Sequence, residues 1–569
     1  MNPTIIKLLL LLILTPQFFI AQVPYNQTNF RAPLNIPLIL AGNFAELRSN
    51  HFHTGLDIKT NHKEGYRVYA IDSGYVSRIN ISHWGYGKAI YVTHPNGYTS
   101  VYAHLRNFPK KIEQYLRKKQ FEKETETIDI NLSPEELPVR RGEIIAFSGN
   151  SGSSSAPHLH FEIRETESEN PVNPLLFHFD IPDNVTPSIF NIKVYPINGT
   201  VNKTQKERVF PIVGTGKNYK LKDNPTILLN GDIGFGIHTI DRLNGANNKC
   251  GIYTIELKVD NQTVFKQKME KLDFATNRYI NAHKDYYEYH KRRRSFHKSF
   301  KTDNNDLAIY ENLVNNGIYM FNDDAVHSVR YIVTDTYGNT SVLNFNVKST
   351  SQHFPTQQKI TNAKALAPFT FEKEDFKANM EAETLYQDEN ITYQKEKTLY
   401  SSAPLHTFGN SQIPLHKRFV LQIKTQGIAP KDTSKAIVVK ISDDKRKAFA
   451  RGGQFHNGWV TAKVKELGKY TVKLDTVAPM VMPINIYNGK NIGKQSTIQF
   501  KISDNLSGIK SYKIYIDEQF KLANYFPHKN LLKLTFDEYN KIPKGKHHIK
   551  VIVTDERNNT TVKDFDVIR

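Results

Sequence analysis

The chain of 569 residues has a single cysteine, Cys250. It can therefore form no internal disulfide, no cysteine-based zinc site and no cysteine-linked lipid anchor near its N-terminus, so any metal must be held by histidine and carboxylate. A lone thiol of this kind reads as a small buried apolar residue. Long apolar runs are equally scarce. The unbroken run over 8–14 is short and is followed by Pro16, which argues against a membrane-spanning helix, and no other stretch is long and apolar enough to cross a bilayer. With Lys7 before that run and a cleavage position after Ala21, residues 1–21 read as an export signal, although Phe19 stands where a small residue is usual. The alternative is an uncleaved membrane anchor. The composition carries no sign of wholesale disorder, since 39% hydrophobic and 11% aromatic residues are values of globular protein. A chain of this length holds several domains, each able to bury its own core.

Lysine and arginine number 76 against 56 aspartates and glutamates, a formal charge of +20. That balance favours an anionic partner: nucleic acid, an acidic membrane surface or a carboxylate-rich wall polymer. Export makes nucleic acid a poor candidate and places the chain in a periplasm, at a cell surface or outside the cell.

The richest stretch is Ala156-Pro157-His158-Leu159-His160-Phe161-Glu162-Ile163-Arg164. Its alternation predicts a β-strand with His158 and His160 on one face and Leu159, Phe161 and Ile163 on the other. Two imidazoles so placed could share a metal or divide ligation from acid and base work. Among 21 histidines, a His-x-His pair alone is better explained by surface or structural hydrogen bonding. Upstream, however, stand His53-Thr54-Gly55-Leu56-Asp57 and Tyr102-Ala103-His104-Leu105, the other parts a zinc hydrolase needs.

Residues 22–182 are rich in short β patterns. Strands are expected over 66–71, 74–79 and 143–148, and a hairpin joins 88–93 to 99–104 around His94-Pro95-Asn96-Gly97. Residues 107–139 break the pattern: 109–124 has Ile112, Tyr115, Leu116 and Lys119 at helical spacing, followed by an acidic stretch. This insertion is either a lid over the site or surface decoration.

The order His53-x-Gly55-x-Asp57, Gly85-Tyr86-Gly87, His104, Gly149-Asn150-Ser151-Gly152 and Pro157-His158-Leu159-His160 resembles the M23 zinc peptidases, the lysostaphin-like peptidoglycan endopeptidases. The resemblance covers most of residues 40–165. It implies that His53, Asp57 and His160 bind Zn2+ and that His104 and His158 are the catalytic histidines that do not touch the metal. Three N/O ligands leave one position open for water, whose pKa zinc lowers to about 7. His158 is then the first choice for the base and His104 for support of the oxyanion, with shared or reversed roles left open. His51 lies off the ligand spacing, and Glu162 reads as a residue behind the ligands.

The rest of the chain contains a repeat. Residues 183–187 resemble 475–479, residues 251–260 resemble 508–517, and 333–339 resemble 553–559. Strand patterns with proline starts and Asn/Gly turns predict two β-sandwich, immunoglobulin-like modules, at 183–348 and 475–569. The first carries an insert over about 265–327 with a basic aromatic run, 286–298, which reads as a solvated loop or an anionic-polymer contact. Residues 349–367 are a polar linker and 368–474 another β-rich module. The expected fold is thus mostly β, a small antiparallel-sheet M23-like peptidase domain followed by sandwich modules. The expected function is hydrolysis of peptidoglycan cross-links, with cell-envelope proteins as further partners. The rival is a non-enzymatic wall-binding or partner-activating protein that uses the same cleft.

Overall fold

The computed structural model describes residues 24–355, 360–397 and 401–569. The segment read as an export signal lies outside the described residues. Among the described residues, no helix is long and apolar enough to cross a membrane. The fold is mostly β.

The N-terminal domain runs through β1 (Leu40–Gly42), β2 (Leu56–Lys59), β3 (Arg67–Tyr69), β4 (Gly74–Ile81), β5 (Lys88–Thr93), β6 (Tyr98–Ala103), β7 (Leu105–Asn107), α1 (Lys110–Glu122), β8 (Ile128–Asn131), β9 (Pro138–Val139), β10 (Ile144–Ser148), β11 (His158–Glu165) and β12 (Pro171–Val172). The main sheet has the order β1-β2-β11-β6-β5-β4-β8 and is antiparallel. A small sheet, β3-β10-β7, lies beside it. The predicted hairpin is β5–β6: Gly97 takes a left-handed φ of 86° and the His94 N–H donates to Tyr98 O at 2.9 Å.

β11 sits inside the main sheet, between β2 and β6. Leu159, Phe161 and Ile163 are fully buried and pack with Leu56, Ile58 and Tyr102. Each such side chain contributes about 1.5–3 kcal/mol of burial, and a one-residue slip would turn all three outward, so the register is fixed. That register directs His158, His160, Glu162 and Arg164 to the opposite face. Gly55 lets β2 approach: a Cβ there would lie 2.3 Å from Phe161 O.

The insertion at 107–139 builds α1, with Ile112 and Leu116 buried, and then β8, which extends the sheet beyond β4 at the edge away from β11. It receives the last module of the chain. Glu126, buried, accepts from Asn524 Nδ2 at 2.7 Å and from the Tyr525 N–H at 2.8 Å, and pairs with Tyr512 Oη; Lys513 Nζ donates to Glu124 at 2.6 Å. Phe121 meets Phe520 edge to face.

The second module is a continuous eleven-stranded sheet spanning 188–349 around its own core. Its insert does not stand apart. Met269, Leu272, Tyr279 and Ile280 form one apolar cluster with Phe44, Leu47 and Phe52 of the N-terminal domain. Within the basic run, Tyr286–Arg292 is a helix capped by Asp285, and Phe296–Lys298 is a strand on Leu228–Ile240. Lys291, Arg292 and Arg293 are exposed, whereas the buried Lys284 just before the run donates to Arg48 O at 2.8 Å and Ser49 O at 2.6 Å. Two five-stranded sheets follow within 362–475, and two four-stranded sheets form the last module. The repeat reaches individual hydrogen bonds. Asp260 and Asp517 both turn their hairpins with positive φ, and each meets a histidine Nδ1, of His327 and His547, at 2.6 Å.

Candidate active site

β-Sheet pairing assembles most of the site. Asp57 on β2 and His160 on β11 are direct cross-strand partners, and His160 also faces Ala103 on β6. Directly opposed side chains share a face at contact distance. His104 follows Ala103 and leaves the strand with φ 57°, a left-handed value that is uncommon for a residue with a Cβ and that recurs at functional sites. The sequence pattern extends the strand through His104; the structure ends it one residue earlier, which turns this ring toward β11. His53 reaches the site from the loop before β2.

Three donor atoms converge. His53 Nε2 lies 3.0 Å from Asp57 Oδ1 and 3.1 Å from His160 Nδ1, and the last two are 2.9 Å apart. Tetrahedral zinc with ligands at about 2.0–2.1 Å would separate neighbouring donors by about 3.3 Å. The set therefore fits zinc with little adjustment. All three residues are buried. Each is also held from behind. His53 Nδ1–H donates to Asn43 O at 2.7 Å, His160 Nε2 meets Glu162 Oε1 at 2.8 Å, and Arg48 Nη2 donates to Asp57 Oδ2 at 2.9 Å. Such partners fix the tautomer and aim of metal-binding side chains. Glu162, fully buried, further accepts from Thr54 and Tyr86 at 2.5 Å and from Arg164 Nε at 2.7 Å, while Arg164 stacks over Phe274 from the second module.

The electrostatics follow from this packing. Burial opposes charge on His160, but the flanking Asp57 and Glu162 outweigh it and push its pKa up to about 9. Burial would raise Asp57, yet His53, His158 and His160 together hold it well below the usual carboxylate range. A dication among these donors would take the place of the shared proton. His53 is lowered, chiefly by burial.

The two remaining histidines line the same space. Their rings are 4.8 Å apart, and the His104 ring is 5.8 Å from that of His160. His104 Nδ1–H donates to Ser151 O at 2.8 Å, and His158 Nδ1–H to Ala156 O at 2.8 Å. In the neutral ring this tautomer leaves Nε2 as the lone-pair atom, and Nε2 of His158 is 3.4 Å from Asp57 Oδ1. Burial, then His160 and His158, push His104 down to about 3, so it is neutral near pH 7. The five residues named from sequence are brought together, and His51 is exposed outside the donor set. Asn43 and Arg48 lie outside the sequence motifs, and Ser151 falls within Gly149-Asn150-Ser151-Gly152. Asn43 and Ser151 act through backbone carbonyls, which have no sequence signature.

A model of peptidase family M23 matches residues 51–121, and a model of a Zu5-like domain matches residues 362–475. DD-carboxypeptidase/endopeptidase Mpg of Neisseria meningitidis serogroup B is 31% identical over 137 residues, 24% of this chain and 25% of the relative. An uncharacterized metalloprotease of Haemophilus influenzae is 31% identical over 123 residues, 22% of this chain and 20% of that protein. The chain thus spans about a quarter of the length of the curated relatives it matches. Among solved structures, the catalytic domain of the antimicrobial peptidase lysostaphin from Staphylococcus simulans aligns at 23% identity over 24% of this chain and 87% of that one, with a TM-score of 0.18. The family match contains His53, Asp57 and His104; His158 and His160 lie beyond it and join them through the pairing of β11 with β2 and β6. Residues 51–121 thus match peptidase family M23, and β11 adds His158 and His160 to the histidines and aspartate of that stretch.

Proposed function

We propose that the chain is an exported, zinc-dependent endopeptidase that hydrolyses peptide bonds in peptidoglycan cross-links. The observation that carries this reading is the convergence of His53 Nε2, Asp57 Oδ1 and His160 Nδ1, with the Nε2 atoms of two further histidines turned to the same space. The substrate class follows the Neisseria relative, which is named a DD-carboxypeptidase/endopeptidase. Export follows from the N-terminal pattern over 1–21.

His53, Asp57 and His160 would hold the zinc, and Asn43, Arg48 and Glu162 orient them. Bound there, zinc supplies the Lewis acidity that makes water a nucleophile near neutral pH. His158 is the first base. Its Nδ1–H is tied to Ala156, so Nε2 is the atom that accepts a proton. His104 is held by Ser151 in the same tautomer and also presents a lone pair. It would support a developing oxyanion by holding the proton released from the attacking water, which the oxyanion's negative charge favours on a ring that is otherwise neutral, so the two histidines share the proton traffic.

The test is digestion of defined peptidoglycans by the purified zinc-loaded protein, with mass analysis of the fragments. Release of fragments cut within the peptide cross-links is expected and names the bond. Intact sacculi, with zinc bound and the protein folded, would refute the peptidoglycan reading.

A further inference from the structure

The second and last modules each gather three aspartates at matching places: Asp183, Asp241 and Asp335 in one, and Asp475, Asp504 and Asp555 in the other. In each triad the facing ligand atoms lie within 4.8 Å of one another. The match is made residue by residue. Asp183 and Asp475 open their modules, ahead of Pro187 and Pro479. Asp241 and Asp504 each follow the strand that pairs with the opening strand, where Ser188 faces Ile240 and Met480 faces Ser503. Asp335 accepts from the Tyr337 and Asn339 N–H groups at 2.8 and 2.9 Å, and Asp555 from those of Arg557 and Asn559, both at 2.8 Å. Asn339 Nδ2 then ties Asp335 to Asp183 O, as Asn559 Nδ2 ties Asp555 to Asp475 O.

These bonds leave other carboxylate oxygens unpartnered. Asp183 Oδ2, Asp241 Oδ1, Asp475 Oδ1 and Asp504 Oδ1 are buried without a hydrogen-bond partner. Asp241 is 2% exposed and Asp475 1%. A buried oxygen with no donor is costly, and converging carboxylates repel, so each triad needs positive charge. Burial, with Asp183 and Asp335 close by, pushes Asp241 up to about 8. Donors that are all carboxylate oxygen suit a hard ion, and Ca2+ accepts six to eight oxygens in irregular geometry.

The triads stand where each module meets the domain before it. Asp183 lies two residues beyond Ile181, which is part of the N-terminal core, and Thr336, next to Asp335, accepts from Asn173. Asp241 pairs through its backbone with Cys250, whose neighbour Gly251 exchanges two hydrogen bonds with Asn43, the residue that orients His53. In the last module, the Asp475 N–H donates to Lys435 O at 2.9 Å, and Arg557 reaches Ala436 O and Gly453 O of the Zu5-like part. We propose that each triad binds one Ca2+ ion, which locks the joint between that module and the preceding domain.

The test is equilibrium dialysis of the full-length protein against radiolabelled Ca2+ up to millimolar concentration, with zinc present at stoichiometric level. About two ions per chain are expected, falling to about one in Asp241→Asn or Asp504→Asn and to about none in the double variant, with circular dichroism confirming the fold. The wild-type chain gives a second readout that needs no variant: limited proteolysis between 180 and 187 and between 475 and 480 should slow when Ca2+ is added. No bound Ca2+, or unchanged stoichiometry in a folded double variant, overturns the sites. Binding without protection of either joint overturns the locking role.

Discussion

At the scale of single residues, the proposed function divides the site into atoms that would hold a metal and atoms that would move protons. His160→Ala and Asp57→Ala each remove a donor, so zinc content and activity should fall together. His104→Ala and His158→Ala should keep near-stoichiometric zinc while turnover drops by about 10²–10⁴-fold for a lost base and about 10²–10³-fold for lost oxyanion support. Metal analysis alongside rate measurement separates the classes, and loss of zinc in His158→Ala would make that residue a ligand. Glu162 offers a different test. Its carboxylate supports His160 and neutralises Arg164, which is itself 5% exposed. Glu162→Gln should weaken zinc binding about 10–100-fold and destabilise the domain by up to about 3–5 kcal/mol, because the buried guanidinium loses its near counter-charge and keeps only the exposed Glu169 at 3.7 Å. Chelator competition and denaturant unfolding would read the two effects, and unchanged values in both would return Glu162 to a bystander.

At the scale of elements, the loops decide what the strands leave open. Gly87 has φ 66°, and a Cβ on it would lie 2.4 Å from Gly152 N, in the loop whose Ser151 carbonyl fixes His104. Gly87→Ala should therefore lower turnover with little loss of zinc; full activity would show that the loop yields without moving the ring. The first aspartate triad gives an element-level pH dependence. Asp241, facing Asp183, Asp335, Arg242 and Cys250, is raised to about 8, and burial raises Asp183 to about 6. A carboxyl raised on folding adds stability at pH values below its unfolded pKa near 4, and that stability fades as pH rises through the folded value. Calcium-free protein should thus lose stability between about pH 4 and 8 in the wild type and less so in Asp241→Asn. Thermal unfolding across that range is the check, and identical slopes would show that the triad does not titrate on folding.

At the scale of the whole molecule, the catalytic domain is braced from two sides. The second module shares an apolar cluster with Phe44, Leu47 and Phe52, fixes the loop before His53 through Lys284 and Gly251, and covers Arg164 with Phe274. The last module grips the insertion and touches the β4–β5 turn, where Trp84 meets His528 and Tyr86 packs on His160. A fragment of residues 24–350 should bind zinc more tightly than one of residues 24–182, because the shorter piece exposes three aromatic and aliphatic side chains and frees the His53 loop. Equal affinity would mean that the brace has no bearing on the metal. The insertion, expected as a lid or as decoration, has instead become the docking face for the last module.

Local pattern carried the parts of this protein whose chemistry is local. Alternation along 158–164 specified a strand with its histidines on one face, Asn96-Gly97 specified a hairpin, and the His53, Asp57, His104, His158 and His160 set was legible as a candidate site because its short motifs, each ambiguous alone, occur together and in one order. Matching segments likewise revealed the repeated modules. Long-range packing decided the rest. The left-handed turn at His104, the carbonyls of Asn43 and Ser151, the sharing of a core between the N-terminal domain and the 265–327 insert, and the meeting of Asp183, Asp241 and Asp335 all depend on segments distant in sequence. Their energies arise only when the folded chain brings those surfaces into contact, and no window of neighbouring residues contains them.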